Sequence, residues 1–410
     1  HLLCGIGLVC SLAALLGFAR PVAFFLLWLL YLSLSVNGQV FLTFQWDILL
    51  LEAGFLAIFF GPSSSIVLWL LRWLLFRLML QSGLAKLASG DPAWRDLTAL
   101  TYHYETQPLT TWSAWWMHQL PRWFHQASAA LMFAAELGAP FLIFARQRFR
   151  TIGCAILVAL QLLIIATGNY CFFNCLAIVL CVPLLTDATL RRILPARLLA
   201  RFPARPARRR PTPWKIGGLL ALAATILVVS GLQTASLFTP RMTLPQPVAT
   251  LLSWLEPLRV INRYGLFAVM TKKRLEIIVE GSHDGIAWLP YEFAYKPGDP
   301  ARRPGFVIPH QPRLDWQMWF ASLGTCERTP WFGRFTDRLL AGSPAVLGLL
   351  KTNPFPDAPP RYVRSMLYEY RFADPATRRS DSVWWRRTLL GPYCPPRTLP
   401  PHPADPVPSP

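Results

Sequence analysis

Ionisable residues inside strongly apolar stretches are the groups of this chain that could do chemistry. Lys86 ends one such stretch in the motif S-G-L-A-K-L, and L-T-Y-H-Y-E-T follows it. A lysine that is removed from water loses its proton more readily and can act as a base. A membrane enzyme could use Lys86 in this way, with His103 and Glu105 as further catalytic candidates and a lipid-like quinol or acyl group as ligand. Its cavity would be lined by these side chains: Asp47, Glu52, Lys86, Tyr102, His103 and Glu105. The alternative is that Lys86 only extends its ammonium group to the membrane surface.

Two acids and two bases occupy neighbouring apolar segments. Asp47 and Glu52 are five residues apart, as are Arg72 and Arg77, which separates the members of each pair by about 140° around a helix. Charges at bilayer depth are costly and usually face a protein interior or a water-filled cavity. The pattern predicts ion pairs between helices, and a substrate or proton site stays open as the alternative. Glu136, in the middle of a later apolar segment, is a further candidate for either role.

Long apolar segments must position these charges. A membrane-spanning helix needs about 20 mostly apolar residues, although tilted or protein-buried segments can be shorter. Eight segments fit this description, so the sequence predicts an α-helical polytopic membrane bundle in residues 1–236. The segments are 2–19, 21–36, 46–60, 66–88, 123–145, 151–167, 170–185 and 214–236. Because residue 1 is His1 and an apolar run begins at once, further residues upstream are expected.

Basic loops set the orientation of the bundle, because Lys and Arg near helix ends prefer the cytoplasm. Arginines within 146–150 and a basic block in the loop 187–215 mark two cytoplasmic turns. Alternation of the helices then places residues 89–121 in an outer loop and 237–394 in an extracytoplasmic domain. The Pro-rich tail 395–410 is predicted to be disordered. The net charge of +19 is assigned to anionic lipid headgroups, and not to nucleic acid, because the basic residues are not interleaved with stacking aromatics.

Tryptophans are concentrated around the outer loop, where they predict an interfacial aromatic belt, with ligand stacking as the alternative. They are Trp94, Trp112, Trp115, Trp116 and Trp123.

The residues after Ser236 have a globular composition and predict a mixed β/α domain. Residues 274–280 resemble a strand, and after a glycine-containing turn at 281–285 a second strand is predicted at 288–295, which is a hairpin pattern. Residues 361–372 alternate like a further strand. Helices are predicted at 314–323, 331–340 and 344–350.

Two of the eight cysteines, Cys326 and Cys394, belong to this outer domain and are a candidate disulfide in an oxidising compartment. Pairing requires their Cα atoms to approach closely, which spacing alone does not establish. The other six cysteines lie in or beside membrane helices, where cysteine behaves as a small apolar residue. The sequence contains no phosphate-binding loop, dinucleotide glycine pattern or metalloprotease motif, so no cofactor or metal site is predicted.

Motifs that carry a family resemblance are spread along the chain. They are F-Q-W-D-I-L-L-L-E-A-G-F-L at 44–56, R-W-L-L-F-R-L-M-L-Q-S-G-L-A-K-L at 72–87, L-T-A-L-T-Y-H-Y-E-T-Q-P-L at 97–109, N-Y-C-F-F-N at 169–174, I-N-R-Y-G-L-F-A-V-M-T at 261–271, E-G-S-H-D-G at 280–285, Y-E-F-A-Y-K-P-G-D at 291–299 and P-H-Q-P-R-L-D-W-Q-M-W-F-A at 309–321. Together they resemble the lipase maturation factor family over nearly the whole length.

The resemblance implies a multi-pass protein of the endoplasmic reticulum membrane whose lumenal C-terminal domain helps dimeric secreted lipases fold and assemble. The Ala-, Arg- and Pro-rich composition is typical of bacterial proteins. It predicts instead a bacterial inner membrane, a periplasmic C-terminal domain and a client other than a vertebrate lipase. The shorter motif S-G-L-A-K-L followed by D-P-A-W is similar to the vitamin K-dependent gamma-carboxylase and its related membrane domains. That likeness puts Lys86 in the place of a basic lysine and supports the enzyme alternative.

The leading hypothesis is a non-enzymatic folding or assembly factor whose outer domain contacts an exported client protein, such as a lipase. The motif H-Q-P-R-L-D-W-Q-M-W and the turn at 281–285 are the candidate contact sites, because Trp, Arg and Met favour protein interfaces. The candidate contact residues are His310, Gln311, Arg313, Asp315, Trp316, Trp319 and Asp284. The oligomeric state is not predicted.

Overall fold

A computed structural model describes residues 1–61, 65–199, 212–239 and 245–398. The centre of the predicted basic loop and residues 399–410 of the predicted tail lie outside these described residues. The chain forms two units, each continuous in space. We call His1–Leu100, Arg122–Ala166 and Tyr170–Met270 the membrane unit. Thr101–Pro121, Thr167–Asn169 and the chain from Thr271 onward form the C-terminal unit.

Helices make up the regular structure of the membrane unit. Four of them, within the described residues, are long and apolar enough to cross a membrane: Arg20–Leu42, Ser65–Ala88, Gln147–Thr167 and Pro213–Ala235. Leu2–Leu16 and Phe173–Leu184 are apolar but shorter. The remaining α-helices are Gln45–Ile58, Pro92–Arg95, Arg122–Phe133, Ala139–Leu142, Asp187–Ile193, Ala196–Leu199 and Gln246–Leu255.

The membrane class of the prediction is confirmed, whereas the count of eight spans is not. Each of the eight predicted segments contains helix, but four of them form helices that are short for a bilayer of about 30 Å, the two shorter apolar helices named above among them. Gln45–Ile58 has 14 residues, and the segment 123–145 is divided by a π-helical turn at Ala134–Gly138. Length and composition therefore support four candidate spans.

Two antiparallel sheets form the framework of the C-terminal unit. The strands are β1 Arg274–Ser282, β2 Leu289–Pro290, β3 Glu292–Phe293, β4 Leu350–Thr352, β5 Tyr362–Phe372 and β6 Trp385–Thr398. One sheet has the order β2-β1-β5-β6, and β3 pairs with β4 in the other. The predicted strand 288–295 is thus two short strands in different sheets. Pro290 explains the break, because proline has no N–H group to continue a ladder.

Helices accompany these sheets, and their bounds are Ala99–Thr106, Trp112–His118, Arg313–Ser322, Pro330–Leu340, Pro344–Leu347 and Pro375–Asp381. The longer predicted helices are therefore present, while residue 350 begins β4 and is not helical. Ser322 Oγ donates to the carbonyl oxygen of Leu275 at 2.8 Å, which ties Arg313–Ser322 to β1. A core of large side chains lies on the main sheet: Trp115, Ile278, Tyr370, Phe372, Trp384 and Trp385.

Strand β6 is the main element that the sequence did not predict. It includes three prolines and extends to Thr398, beyond the predicted start of the disordered tail at residue 395. Proline is tolerated on edge strands, and β6 stands at the edge of its sheet. Cys394 of this strand forms a disulfide with Cys326, with the Cα atoms 5.5 Å apart.

Candidate functional site

A buried carboxylate, Glu52, organises one polar network of the membrane unit. It forms an ion pair with Arg77, and its Oε2 accepts hydrogen bonds from the Asn262 main-chain N–H at 2.9 Å and the Tyr264 hydroxyl at 2.8 Å. Gln81 Oε1 accepts from the Tyr264 main-chain N–H at 3.1 Å. Each of these polar side chains is almost fully buried, so the network compensates the cost of burying its charges. It fixes the chain around residues 262–264 to two helices.

The predicted set of two acids and two bases is therefore only partly assembled. Glu52 meets Arg77, but Arg72 donates Nε and Nη2 to the Pro183 carbonyl oxygen at 3.0 and 2.7 Å. Asp47 accepts from the Tyr31 hydroxyl at 2.6 Å and from the main-chain N–H of Phe44 at 3.1 Å. Asp47 stands in the first turn of Gln45–Ile58, where a carboxylate caps the helix end. Its position in that first turn explains its local hydrogen bond.

Lys86 and Glu136 form a second buried ion pair. Lys86 Nζ lies 2.9 and 2.8 Å from the two carboxylate oxygens of Glu136 and 3.3 Å from the Ser82 carbonyl oxygen. The ammonium nitrogen is 5.5 Å from the centre of the Trp94 ring. Glu136 belongs to the π-helical turn Ala134–Gly138. Such turns are rare in proteins as a whole, and those that occur are often at functional sites. Lys86 therefore does not extend to the membrane surface but is held inside the unit.

Close packing accompanies this pair. A Cβ atom on Gly83 would lie 2.6 Å from a side-chain carbon of Leu137 and 3.2 Å from Cβ of Glu136. Gly83 is thus required for the close approach of Ser65–Ala88 to the π-helical turn.

The cavity predicted for an enzyme is not one network. Asp47, Glu52 and Lys86 have the separate partners given above, and Glu105 belongs to the C-terminal unit. There Glu105 Oε2 accepts from the Phe372 main-chain N–H at 2.6 Å and lies 3.7 Å from His118 Nε2. Burial raises the pKa of Glu105. His103 and Tyr102 lie on the same helix as Glu105, Ala99–Thr106.

A metal site would require several ligands in one place. Among the described residues, no group of three or more His, Cys, Asp or Glu side chains could hold a metal ion.

An ionic triad lies at the centre of the C-terminal unit. Arg274 and Lys296 both pair with Glu276, at 2.7 and 2.9 Å, and all three side chains are at most 1% exposed. Arg274 also donates to the carbonyl oxygens of Glu105 at 2.8 Å and Pro108 at 2.9 Å. The triad was missed in the sequence. The signal available was the alternation R-L-E, because residues i and i+2 of a strand share a face.

Two tryptophans of the predicted interfacial belt are buried, so that prediction is wrong for them. Trp94 is 3% exposed and Trp115 is 1% exposed. Trp115 Nε1 donates to the Ala373 carbonyl oxygen at 2.8 Å, and the Arg378 guanidinium lies 4.9 Å from the Trp115 ring and 3.9 Å from the Trp384 ring. Packing against the sheet explains the burial of Trp115. Trp112, Trp116 and Trp123 remain exposed.

Three predicted client-contact residues are also buried, and they cannot touch a client in this state. Asp315, Trp316 and Trp319 are 2, 3 and 6% exposed. Asp315 Oδ1 accepts from the main-chain N–H groups of Tyr295 and Lys296 at 2.8 Å, and Trp319 Nε1 donates to the Thr106 carbonyl oxygen at 2.9 Å. Their helix is a core element because it packs on β1, which the aromatic content alone did not reveal.

The other predicted contact residues remain accessible. His310 and Asp284 are exposed, and Gln311 and Arg313 are half-buried. The His310 ring lies 5.8 Å from the ring of Tyr295, beside a cleft of about 150 Å³. Asp284 Oδ1 accepts from Ser282 Oγ at 2.9 Å and from the main-chain N–H groups of Ile286 and Ala287, and these bonds lower the pKa of Asp284. Asp284 therefore shapes the turn that follows β1.

One half of one face of the four-stranded sheet is incompletely covered, and we call this half the open face. It consists of Arg364, Met366 and Tyr368 of β5, Trp288 beside them and Leu389 of β6. The Arg364 guanidinium stacks 4.2 Å from the centre of the Trp288 ring and donates Nε to Glu280 at 2.6 Å. Leu389, the partner of Tyr368 in the β5–β6 ladder, is 52% exposed. The open face presents aromatic and arginine side chains that are already held in place.

Comparisons with known proteins complete this description. The lipase maturation factor transmembrane domain matches residues 1–192, and the lipase maturation factor C-terminal domain matches residues 260–395. Lipase maturation factor 1 of Bos taurus is 38% identical over an alignment that covers 96% of this chain and 74% of the relative. The chain belongs to the lipase maturation factor family. Lipase maturation factor 2 of Rattus norvegicus is 36% identical over an alignment that covers 95% of this chain and 72% of the relative. Lipase maturation factor 2 of Homo sapiens is 36% identical over 96% of this chain and 72% of the relative. No solved structure matches.

The matched regions of this chain contain most of the polar networks described above. The transmembrane match includes the Lys86–Glu136 pair, and the C-terminal match includes Asn262, the Arg274 triad and the open face. The helices Pro213–Ala235 and Gln246–Leu255 lie between the two matches.

Proposed function

We propose that this protein assists the folding or assembly of exported client proteins, lipases among them, from its place in a membrane. Membership of the family carries the proposal, because two family models and relatives at 35–38% identity agree on one name. The alternative of a gamma-carboxylase-related enzyme is not favoured by these comparisons. The ion pair of Lys86 with Glu136 is consistent with this, since it leaves the ammonium group engaged within the protein.

The C-terminal unit is proposed to lie outside the cytoplasm, with the endoplasmic reticulum lumen as its place in eukaryotic relatives. The disulfide Cys326–Cys394 supports an oxidising compartment, and the basic loop 187–215 supports the same orientation. Eight membrane crossings remain a proposal. Four of the described helices have the length and composition of a membrane span. The bacterial inner membrane and periplasm stay a prediction from composition, because the compared relatives are vertebrate proteins.

The open face is the proposed client-contact surface, together with the turn containing Asp284. Tryptophan, tyrosine and arginine dominate binding energy at protein interfaces, and Trp288, Tyr368 and Arg364 are such residues. Stacking of Arg364 on Trp288 reduces the side-chain freedom that binding would otherwise remove. Ile286, two residues after Asp284, is 85% exposed and adds apolar surface.

Client maturation is tested by expressing a dimeric lipase in cells that lack their own factor. The wild-type chain should restore secreted lipase activity. The variants Trp288→Ser and Leu389→Ser should restore much less, while expression and protease resistance of the factor stay unchanged. Leu349→Ser is the matched control, because Leu349 is exposed on the same unit to a similar extent as Leu389, 53% against 52%.

Two outcomes would separate the parts of the proposal. Normal lipase secretion without any factor would remove the maturation function. Full rescue by the Trp288 and Leu389 variants would remove the open face as contact surface and leave the maturation function standing.

A further inference from the structure

The helix Gln246–Leu255 has an apolar stripe that is only partly covered, because Val248, Leu252 and Leu255 are half-buried while Leu251 and Trp254 are exposed. Consecutive helical residues turn by about 100°, so Val248, Leu251, Leu252 and Leu255 share one side with Trp254 at its border, and Ser253 points the opposite way. None of the ten residues is buried. Trp254 is 72% exposed and Leu251 is 38% exposed. The helix contains no charged residue.

Another amphipathic helix shows how this chain covers such a stripe inside a protein. Pro330–Leu340 buries Phe332, Phe335 and Leu339 against the C-terminal unit. Large contiguous apolar surface is rare where a protein faces water, and it marks contacts with a partner or a membrane. The stripe of Gln246–Leu255 therefore requires an occupant.

The position of the helix identifies that occupant. Gln246–Leu255 is the next helix after Pro213–Ala235, which is long and apolar enough to cross the bilayer. On its other side, Asn262 and Tyr264 are bonded to Glu52 of the membrane unit. Met270 then donates its main-chain N–H to Asp91 Oδ2 at 2.6 Å, close to the end of Ser65–Ala88. The helix is thus attached at both ends to elements of the membrane unit, within reach of a bilayer surface.

We propose that Gln246–Leu255 is an interfacial helix that lies in the headgroup region of the bilayer, with Leu251 and Trp254 in contact with lipid and Ser253 facing water. Tryptophan prefers this region, and an amphipathic helix lies there with its apolar face down. The helix and the segment after it then anchor the chain that enters the C-terminal unit at Thr271. This proposal is independent of the client.

Spin labels test the proposal in the full chain, reconstituted in phosphatidylcholine vesicles. Six cysteines are free and are replaced by serine, and the disulfide Cys326–Cys394 is kept. A nitroxide is attached to a single cysteine introduced as Leu251→Cys or, as the matched control in the same helix, Ser253→Cys. Collision rates are measured with oxygen, which concentrates in lipid, and with a nickel chelate, which stays in water. The ratio of oxygen to nickel collisions should be several-fold higher at position 251.

Two results would overturn the proposal. High nickel access at both positions would mean that the helix stands in water. Low access of both reagents to position 251 would mean that protein covers the stripe, from this chain or a second copy.

Native fluorescence provides a second measurement that does not depend on the labelled variants. Trp254→Phe removes one emitter, so the wild-type minus variant signal isolates Trp254. Brominated lipid should quench that difference signal strongly and aqueous iodide should not. The reverse pattern would contradict the proposal.

Discussion

The guanidinium of Arg274 donates to the main-chain carbonyl oxygen of Pro108 at 2.9 Å, across 166 residues of sequence. Arg274 opens β1, whereas Pro108 belongs to the segment Thr101–Pro121 between membrane-unit helices. A planar guanidinium has five N–H donors, which suits it to bind Glu276 and several carbonyl groups at once. One side chain therefore holds the segment Thr101–Pro121 and the sheet in the same unit.

We expect Arg274→Met to lower the free energy of unfolding of the C-terminal unit by about 3 to 5 kcal/mol, because it leaves buried carbonyl groups without their donor and removes one of the two cations that pair with Glu276. Arg274→Lys should recover only part of this loss, since an ammonium group cannot reach all the acceptors. The change is measured by unfolding in urea, with protease sensitivity as the readout. Lys273→Met is the neighbouring control, because the Lys273 side chain is 67% exposed. Equal stability of the Arg274 and Lys273 variants would contradict the role of the triad.

The Lys86–Glu136 pair is expected to behave as a coupled unit. Lys86→Met or Glu136→Met alone should destabilise the membrane unit by roughly 3 kcal/mol, because each leaves one partner buried and uncompensated. The double variant Lys86→Met with Glu136→Met should regain much of that loss, since two apolar groups replace the pair. Thermal denaturation in detergent measures the cycle. Additive losses would show that the two residues act separately.

Client maturation by the Lys86 variants provides the functional side of that cycle. If the double variant is stable but inactive toward a client, the pair has a role beyond packing. If it is stable and active, the pair is structural.

Removal of the disulfide should destabilise the C-terminal unit. Replacing Cys326 and Cys394 together by serine is expected to cost about 2 to 5 kcal/mol, because the bond closes a loop with a sequence separation of 68 residues. The measurement is the urea midpoint under non-reducing conditions. Cys175→Ser, at an exposed free cysteine, should leave the midpoint unchanged. Loss of stability in the Cys175 variant instead would point to a different pairing.

Asp315 should make the C-terminal unit less stable as the pH rises. Burial raises the pKa of Asp315 above its ordinary value of 3.8, so the folded unit holds this proton more firmly than the unfolded chain does. Stability from this group is therefore full below pH 3.8 and is lost as the pH rises through the folded pKa. Asp315→Asn should remove that part of the pH dependence.

Exposed carboxylates such as Asp374 act in the opposite direction, because hydrogen bonds with Thr377 lower the pKa of Asp374 to about 2. The contribution of Asp315 is therefore isolated by subtracting the stability of the Asp315→Asn variant from that of the wild type at each pH. The wild type and the Asp315→Asn variant are compared by urea unfolding at a series of pH values that starts at 3.8 and rises to neutral. Asp357→Asn, at an exposed position, is the control. A difference between wild type and Asp315→Asn that did not change with pH would contradict the prediction.

Local sequence determined the membrane class, the helical segments, the strands β1 and β5 and the order of the two regions. These features depend on apolar run length and on the alternation of side chains, which neighbouring residues specify by themselves. The motifs also determined the family. Glu52 and Arg77 were expected to need partners, because an ionised group within an apolar run cannot remain unpaired at low cost, and in the structure they form an ion pair.

Tertiary structure decided which of these residues meet and which surfaces stay open. Asp315, Trp316 and Trp319 have the composition of an interface but are buried, because a helix in the sequence does not reveal which of its faces a sheet will cover. Glu136 as the partner of Lys86, and Pro108 as the acceptor for Arg274, depend on contacts between distant segments. Pairing over such distances depends on how whole elements pack, and it cannot be predicted from residue type and local spacing, which specify only which residues of one element share a face.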